Sequence, residues 1–455
     1  MSEFADQFSE KISKNSSSIS QDLESGIEER VQELLSEDFR NIFYSEEIEQ
    51  KKEDFNVIAS DAGRNDIEFR NNTRLYIVRA SAVDESGEKS RKIDTDTLRP
   101  YRQADYEQFL QRASEIVELD SILEKLDETK SDEKKYVLID GTLLTRLLVT
   151  PEELRLSKQQ DKCLELIEKF QELLERAEED ENLVLAGVSK DSNSGILYSQ
   201  LVSQLLERKI ESLEEEVSGK EEIDTDTLEF LDRNYDKIRY APEEIRTALQ
   251  NLRDENIDVS EVEELLDRYR MRISDTEFVS AMASGTGFTK PLEVGEIKKD
   301  FFSAMDDFDD NSQKFIERNF RKSLQESGDE SKYRKKVTEL LENLRDSPGV
   351  VSFYWIPAEN DMPLRIDLLS HDMNGSRLKD FEDPEFVEPG EKVRDILELL
   401  KTGYAGEGMH NVWISQADNS ASLTNSRIEK VYKPLLSKQL GENLRKYMRR
   451  RDKRV

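Results

Sequence analysis

The sequence of 455 residues predicts an α/β fold, a mixed sheet covered by helices. Three observations lead there. Residues 55–83 carry strand-like apolar runs and alternations, residues 105–126 repeat their apolar positions at helical spacing, and residues 136–140 return to a short continuous apolar run. Strands, then a helix, then a further strand is the order that builds a sheet with helical cover.

At the start of the chain Ile12, Ile19, Leu23, Ile27, Val31, Leu34 and Leu35 recur at roughly helical spacing, defining a helical arm that packs or dimerises. "NVIAS", "DIEFR" and "TRLYIVRASAV" then read as a β-meander, separated by polar turns and closing in the charged loop "DESGEKSRK". A helix follows around Asp105 to Leu126, with Phe109, Ile116, Leu119, Leu123 and Leu126 on one stripe, before "YVLID" returns the chain to the sheet.

From Pro151 to about Arg272 the chain is rich in helices, interrupted by "NLVLAGVSKDSNSG", a strand leaving the core through a polar loop. "CLELIEKFQELLERAEEDE" and "LVSQLLERKIESLEEEV" have apolar stripes and acidic outer faces, the pattern of inserted, solvated helical hairpins. The hexapeptide "IDTDTL" occurs from Ile93 and again from Ile223 with unmatched flanks, and reads as helix-start chemistry rather than as a repeat or a calcium loop. Beyond it lie a charged helical section, "FFSAMDDFDDNSQKFIERNFRKSL", and a hairpin made of "VVSFYWIPA" and "LRIDLLS". The chain closes on "RKYMRRRDKRV", a basic end suited to DNA phosphates.

Lys+Arg 67 against Asp+Glu 100 gives a formal charge of −33, so much of the surface is solvated acidic helix. The single cysteine, Cys163, excludes an intramolecular disulfide and a cysteine-based zinc cage, and fits a reducing compartment. Metal chemistry is left to carboxylates or histidine. "MSEFADQFSEKISKNSSSI" has no basic or apolar signal region and no membrane-length apolar run follows, so a soluble cytoplasmic protein is expected.

Two stretches raise a chemical question. "FNVIASDAGRN" runs apolar residues into Asp61 and turns through Gly63, and "KKYVLIDGTLL" does the same into Asp140 and Gly141. Aspartates at strand ends also cap helices or start turns. As a pair they repel one another unless a divalent cation sits between them, and hard oxygen ligands suit Mg²⁺ or Mn²⁺. Such ions activate water in phosphodiester cleavage. The helix before "YVLID" offers a third carboxylate from Glu115, Glu118 or Glu124. Of the two histidines, His410 lies in a glycine-rich loop, "GYAGEGMHN", where it can ligate a metal or move a proton, while His371 carries no such signal.

In order along the chain, "ASDAGRN", "VLIDGTLL", "AGVSKDSNSGIL", "RISDTEFVSAMASGTG", "VSFYWIPAENDMPLRIDLL" and "GYAGEGMHNVWIS" resemble the NurA nuclease family. The resemblance implies a ribonuclease-H-like mixed-sheet core with large helical insertions and helical terminal arms. It implies a Mn²⁺-dependent nuclease (Mg²⁺ the alternative) that degrades single-stranded DNA and resects duplex ends from the 5′ side, as a homodimer with the hexameric HerA translocase. By position, Asp61 and Asp140 match the family's metal-binding aspartates, Glu118 its helical glutamate with Glu115 next in line, and His410 its C-terminal histidine. Lys190 matches a recurrent lysine, here expected on phosphate, and Arg64 supports the backbone behind Asp61. The family usually has proline after Gly403-Tyr404 and alanine before the histidine, where this chain has Ala405 and Met409. The expected layout is a helical arm (1–50), a first part of the core (51–150), a helical insertion holding a core strand near 182–190 (151–272), a second part of the core with the charged helices near 300–346 (273–440), and a basic tail (441–455). The competing class is a non-catalytic helical assembly or adaptor protein in a DNA-processing complex.

Overall fold

The computed structural model describes residues 3–23, 27, 29–129, 133–190, 192–217, 242–254, 257–270, 273–294, 299–373, 375–380 and 384–441. The basic tail and the second "IDTDTL" lie outside these residues. In chain order the strands are β1 (Phe43–Tyr44), β2 (Asn56–Glu68), β3 (Arg74–Asp84), β4 (Lys89–Leu98), β5 (Lys135–Asp140) and β6 (Leu183–Ser189). They continue with β7 (Gly287–Thr289), β8 (Leu292–Glu293), β9 (Val350–Ile356), β10 (Leu364–Leu369) and β11 (Glu385–Phe386). The chain divides into two units, residues 1–45 with 191–289, and residues 46–190 with 290–455.

The smaller unit is helical. In the helix Glu29–Ile42, Val31, Leu35, Phe39 and Ile42 recur at helical spacing and are buried, and Phe39 meets Phe278 edge-on with ring centroids 5.6 Å apart. The helices Ile196–Val217 and Ser260–Arg270 pack on one another, and β1 pairs antiparallel with β7.

The larger unit holds the mixed sheet, in the order β9-β10-β6-β5-β2-β3-β4. β2, β3 and β4 form an antiparallel meander, β5 and β6 run parallel to β2, and β10 and β9 complete the sheet antiparallel. β5, β6, β9 and β10 are buried almost throughout, as their continuous apolar runs require. The helix Gln103–Glu128 packs on β2, β3 and β4 and against the helix Lys162–Glu179, which itself touches β6, so buried residues line more than one of its faces. Tyr76, Val78 and Ala80 of β3 point to this helix and meet Phe109, Ala113 and Val117. Burying a ring such as Phe109 contributes about 1.5–3 kcal/mol. The alternate residues of the meander, Ile67 and Ile77, point to the other face, where Leu423 and Ile428 cover them.

Two expectations are corrected here. β2 does not end at Asp61: it continues through Gly63 to Glu68, paired with β3 along its whole length, so "NVIAS" and "DIEFR" are one strand. The first "IDTDTL" starts no helix. It belongs to β4, whose alternating residues pair with β3, and the charged loop that was to close the meander is a tight turn into that strand. A polar edge strand shows little hydrophobic periodicity, which is why its alternation reads as turn and cap chemistry.

Candidate active site

β2 and β5 pair in parallel up to Ser60↔Ile139, and the next residue on each strand is an aspartate. Asp61 and Asp140 therefore stand on neighbouring strands, whose axes are about 5 Å apart, and face the same side of the sheet. Beyond Asp140 the chain must turn at once, and Gly141 adopts φ 108°, a left-handed conformation that side chains disfavour. Thr142 caps the short helix Leu143–Leu147 by accepting from Leu144 N.

The turn is fastened from behind by Asp367 of β10. This fully buried carboxylate accepts hydrogen bonds from Thr142 Oγ1, from Leu143 N at 3.0 Å, from Ser352 Oγ at 2.7 Å and from Arg365 Nε at 2.8 Å. Arg146, on the same short helix, is also buried. It donates Nη1 to Thr142 O at 2.9 Å and Nη2 to Glu118 Oε2 at 2.8 Å, while the other oxygen of Glu118 accepts from Ser60 Oγ at 2.9 Å. Ser60 and Asp61 point to opposite faces of β2, so Glu118 approaches from the face of the long helix and Asp61 points away from it.

Burial, with the charges of Glu118, Asp140 and Asp418 adding to it, pushes Asp61 up to about 7. Burial likewise raises Asp140, to about 6; Lys190 opposes this and Glu118 and Asp418 reinforce it. Lys190 is exposed and its Nζ lies 4.0 Å from Asp140 Oδ2. Glu115 is buried and raised, chiefly by desolvation, and accepts from Gln111 Nε2 at 3.1 Å. The structure thus brings Asp61, Asp140 and Lys190 together on one face of the sheet, while Glu118 lies on the opposite face, near enough for its charge to raise both aspartates. Exposed Arg64 lies on β2, where its charge acts on Glu115. Glu124 is held elsewhere by Ser90 and by Lys92, the latter at 2.7 Å.

His410 is buried at the head of the helix Val412–Ala421, next to Asn411, whose Oδ1 caps that helix by accepting from Trp413 N and Ile414 N at 3.1 Å. Asp418 lies six residues into the helix, about 9 Å along its axis. His371 stands in the turn Ser370–Met373, 3.2 Å from Asp372. Among the described residues no three His, Cys, Asp or Glu side chains are grouped tightly enough to cage a metal ion. The donors nonetheless suit one, since two half-buried carboxylates displaced towards neutrality form a site that a hard cation would relieve.

Sequence reading missed Arg146, Asp367 and Asp418. Asp367 left a signal, an acid inside the otherwise apolar run "LRIDLL", which must be paired if the strand is buried. The other two left none.

Fold and site together define an α/β protein with a carboxylate pair where the parallel pairing of two central strands stops. The family model described as the NurA domain matches residues 55–423, and the chain belongs to the NurA family. Over nearly its whole length it is similar to the NurA nuclease from Sulfolobus solfataricus, at 13% identity, covering 96% of this chain and 97% of that one with a TM-score of 0.50, a likeness of fold. It is also similar to a solved NurA bound to dAMP and manganese, at 16% identity over 93% of this chain and 97% of that one with a TM-score of 0.42. No curated protein matches it. No described helix is long and apolar enough to cross a membrane.

Proposed function

We propose that this protein is a metal-dependent deoxyribonuclease of the NurA type, cytoplasmic, degrading single-stranded DNA and resecting duplex ends from the 5′ side together with a HerA-type translocase. The observation that carries the reading is the placement of Asp61 and Asp140 side by side where the parallel pairing of β2 and β5 stops, both raised well above the ordinary carboxylate range, with the Lys190 ammonium 4.0 Å from one of them. Perturbed carboxylates beside a cation where parallel pairing stops mark a functional site rather than a turn. The strand order β4-β3-β2-β5-β6, a meander followed by two parallel strands, supports a ribonuclease-H-like core.

Asp61 and Asp140 would hold Mn²⁺ or Mg²⁺, with Glu118 behind them on the opposite face, held by Ser60 and Arg146. When bound, such an ion supplies an acidified water and stabilises charge on the departing oxygen. In hydrolysis the water oxygen forms the new bond to phosphorus, the bond to the 3′-oxygen breaks, and that oxygen takes up a proton, the role we assign to His410. Lys190 contacts the phosphate, with Arg64 as a further cation near the strand. Local cations answer the charge of −33, because only the path of the strand has to be neutralised. On the helix Glu3–Leu23, Phe4, Phe8 and Ile12 recur four apart and are exposed, which supports the arm as part of a homodimer or translocase contact.

The test is digestion of end-labelled single-stranded DNA in Mn²⁺, Mg²⁺ or EDTA. Cleavage that needs the metal and is lost in Asp61→Ala and Asp140→Ala supports the reading. Absence of cleavage under every condition turns it towards the adaptor class.

A further inference from the structure

The face of β2 that carries Asp61 is covered by the helix Val412–Ala421. Gly63, two residues after Asp61 and pointing the same way, is where they touch: a Cβ there would stand 2.3 Å from Ala421 O. Arg79, the cross-strand partner of Gly63, clamps the same helix end by donating Nε to Ala421 O at 2.7 Å and Nη2 to Ser422 O. Asp418 precedes Ala421 by three residues, one turn, and stands exposed at the flank of the helix face formed by Trp413, Ile414, Ala417 and Ala421. Its charge reaches both Asp61 and Asp140.

A second observation points to the same place. Ser81 is the register partner of Asp61 on β3, and directly opposed side chains share a face at about 4.5–5.5 Å between Cβ atoms. Ser81 is 1% exposed and its Oγ has no hydrogen-bond partner. Buried hydroxyls are almost always satisfied, so one left open beside a half-buried carboxylate marks a position where a water or ion belongs. On the opposite face both oxygens of Glu118 are engaged, by Ser60 and Arg146. Glu118 is thus committed on the face away from Asp61.

We propose that Asp418 is a ligand of the same cation, delivered by the helix Val412–Ala421 from the face that Asp61 occupies, with the Ser81 hydroxyl turned towards the ion or its water. The inference rests on the metal-dependent reading above. Asp418 is exposed, so its side chain swings to the ion without displacing the helix.

The experiment is Mn²⁺ titration of the full-length protein, followed by the paramagnetic resonance signal of free aqueous Mn²⁺, for the wild type, Asp61→Asn and Asp418→Asn, with thermal melts of each. The expected result is tight uptake by the wild type, loss in Asp61→Asn, and at least about tenfold weaker uptake in Asp418→Asn with an unchanged melt, a ligand counting for no less than an outer-shell partner. Wild-type affinity in Asp418→Asn, with uptake lost in Asp61→Asn, overturns the inference and leaves the reading standing. No uptake by the wild type overturns both.

Discussion

Arg146 Nη2 lies 2.8 Å from Glu118 Oε2, and neither side chain reaches solvent appreciably. The pair ties the helix before β5 to the turn after it. Removing one partner leaves the other charge buried and uncompensated, so Arg146→Met is expected to cost about 3–5 kcal/mol, whereas replacing both with apolar residues is often close to neutral. Urea denaturation of Arg146→Met, Glu118→Leu and the double variant checks this. The double variant should recover most of the loss, and an Arg146→Met protein as stable as the wild type would mean that Glu118 is solvated.

The raised carboxylates give a second expectation, for stability against pH without metal. Asp61 near 7 and Asp140 near 6 both lie above the ordinary value of 3.8, so the folded state holds protons that the unfolded state has released. Their contribution is fully present below about pH 4 and is lost as pH rises through 6 and 7. In EDTA the wild type should therefore lose stability between pH 5 and pH 7.5 relative to an Asp61→Asn/Asp140→Asn variant. Adding Mn²⁺ at pH 7.5 should narrow the gap, because metal binding selects the deprotonated form. Parallel pH curves for the two proteins would show that the carboxylates are not displaced.

Much of this site was legible because parallel strands buried on both faces read as continuous apolar runs. "YVLID" and "LVLAG" could hardly be anything else, and the aspartate and glycine ending the first announced a turn. Asp61 was legible as an acid after an apolar run, but not as a mid-strand residue, since Gly63 looks like a turn former and in fact admits the backbone of Ala421. Asp418 sits in "SQADNSAS", where nothing local distinguishes it from a solvated helix position. Its placement depends on a contact between residues more than three hundred apart in the chain, which single-sequence periodicity does not encode.

Lys190 carries a prediction separable from the metal ligands. Its ammonium holds down the proton affinity of Asp140 from 4.0 Å and stands ready for a phosphate oxygen. Lys190→Ala should weaken cleavage of single-stranded DNA by roughly tenfold or more, the worth of one charge-assisted contact. It should also move the acidic limb of the pH–rate profile upward, because Asp140 then loses its proton at higher pH. Lys190→Arg should retain much of both. An unshifted profile in Lys190→Ala would confine the lysine to substrate contact, and unchanged cleavage would remove it from the site.

Gly63 tests whether the helix Val412–Ala421 has to sit where it does. With Ala421 O only 2.3 Å from a Cβ at this position, Gly63→Ala cannot be accommodated by a side-chain rotation, because both sides of the contact are backbone. Either the strand or the helix must shift, and overpacking of this kind costs about 1–3 kcal/mol. The helix should yield first: it is held at this end by Arg79 and Asn411 caps its other end, whereas β2 is paired with β3 continuously from Ile58 to Glu68. Gly63→Ala should therefore lower the melting temperature modestly, leave the sheet intact by circular dichroism, and weaken Mn²⁺ uptake about as much as Asp418→Asn does. Uptake unchanged beside a lowered melting temperature would show that the helix stabilises the fold without serving the site.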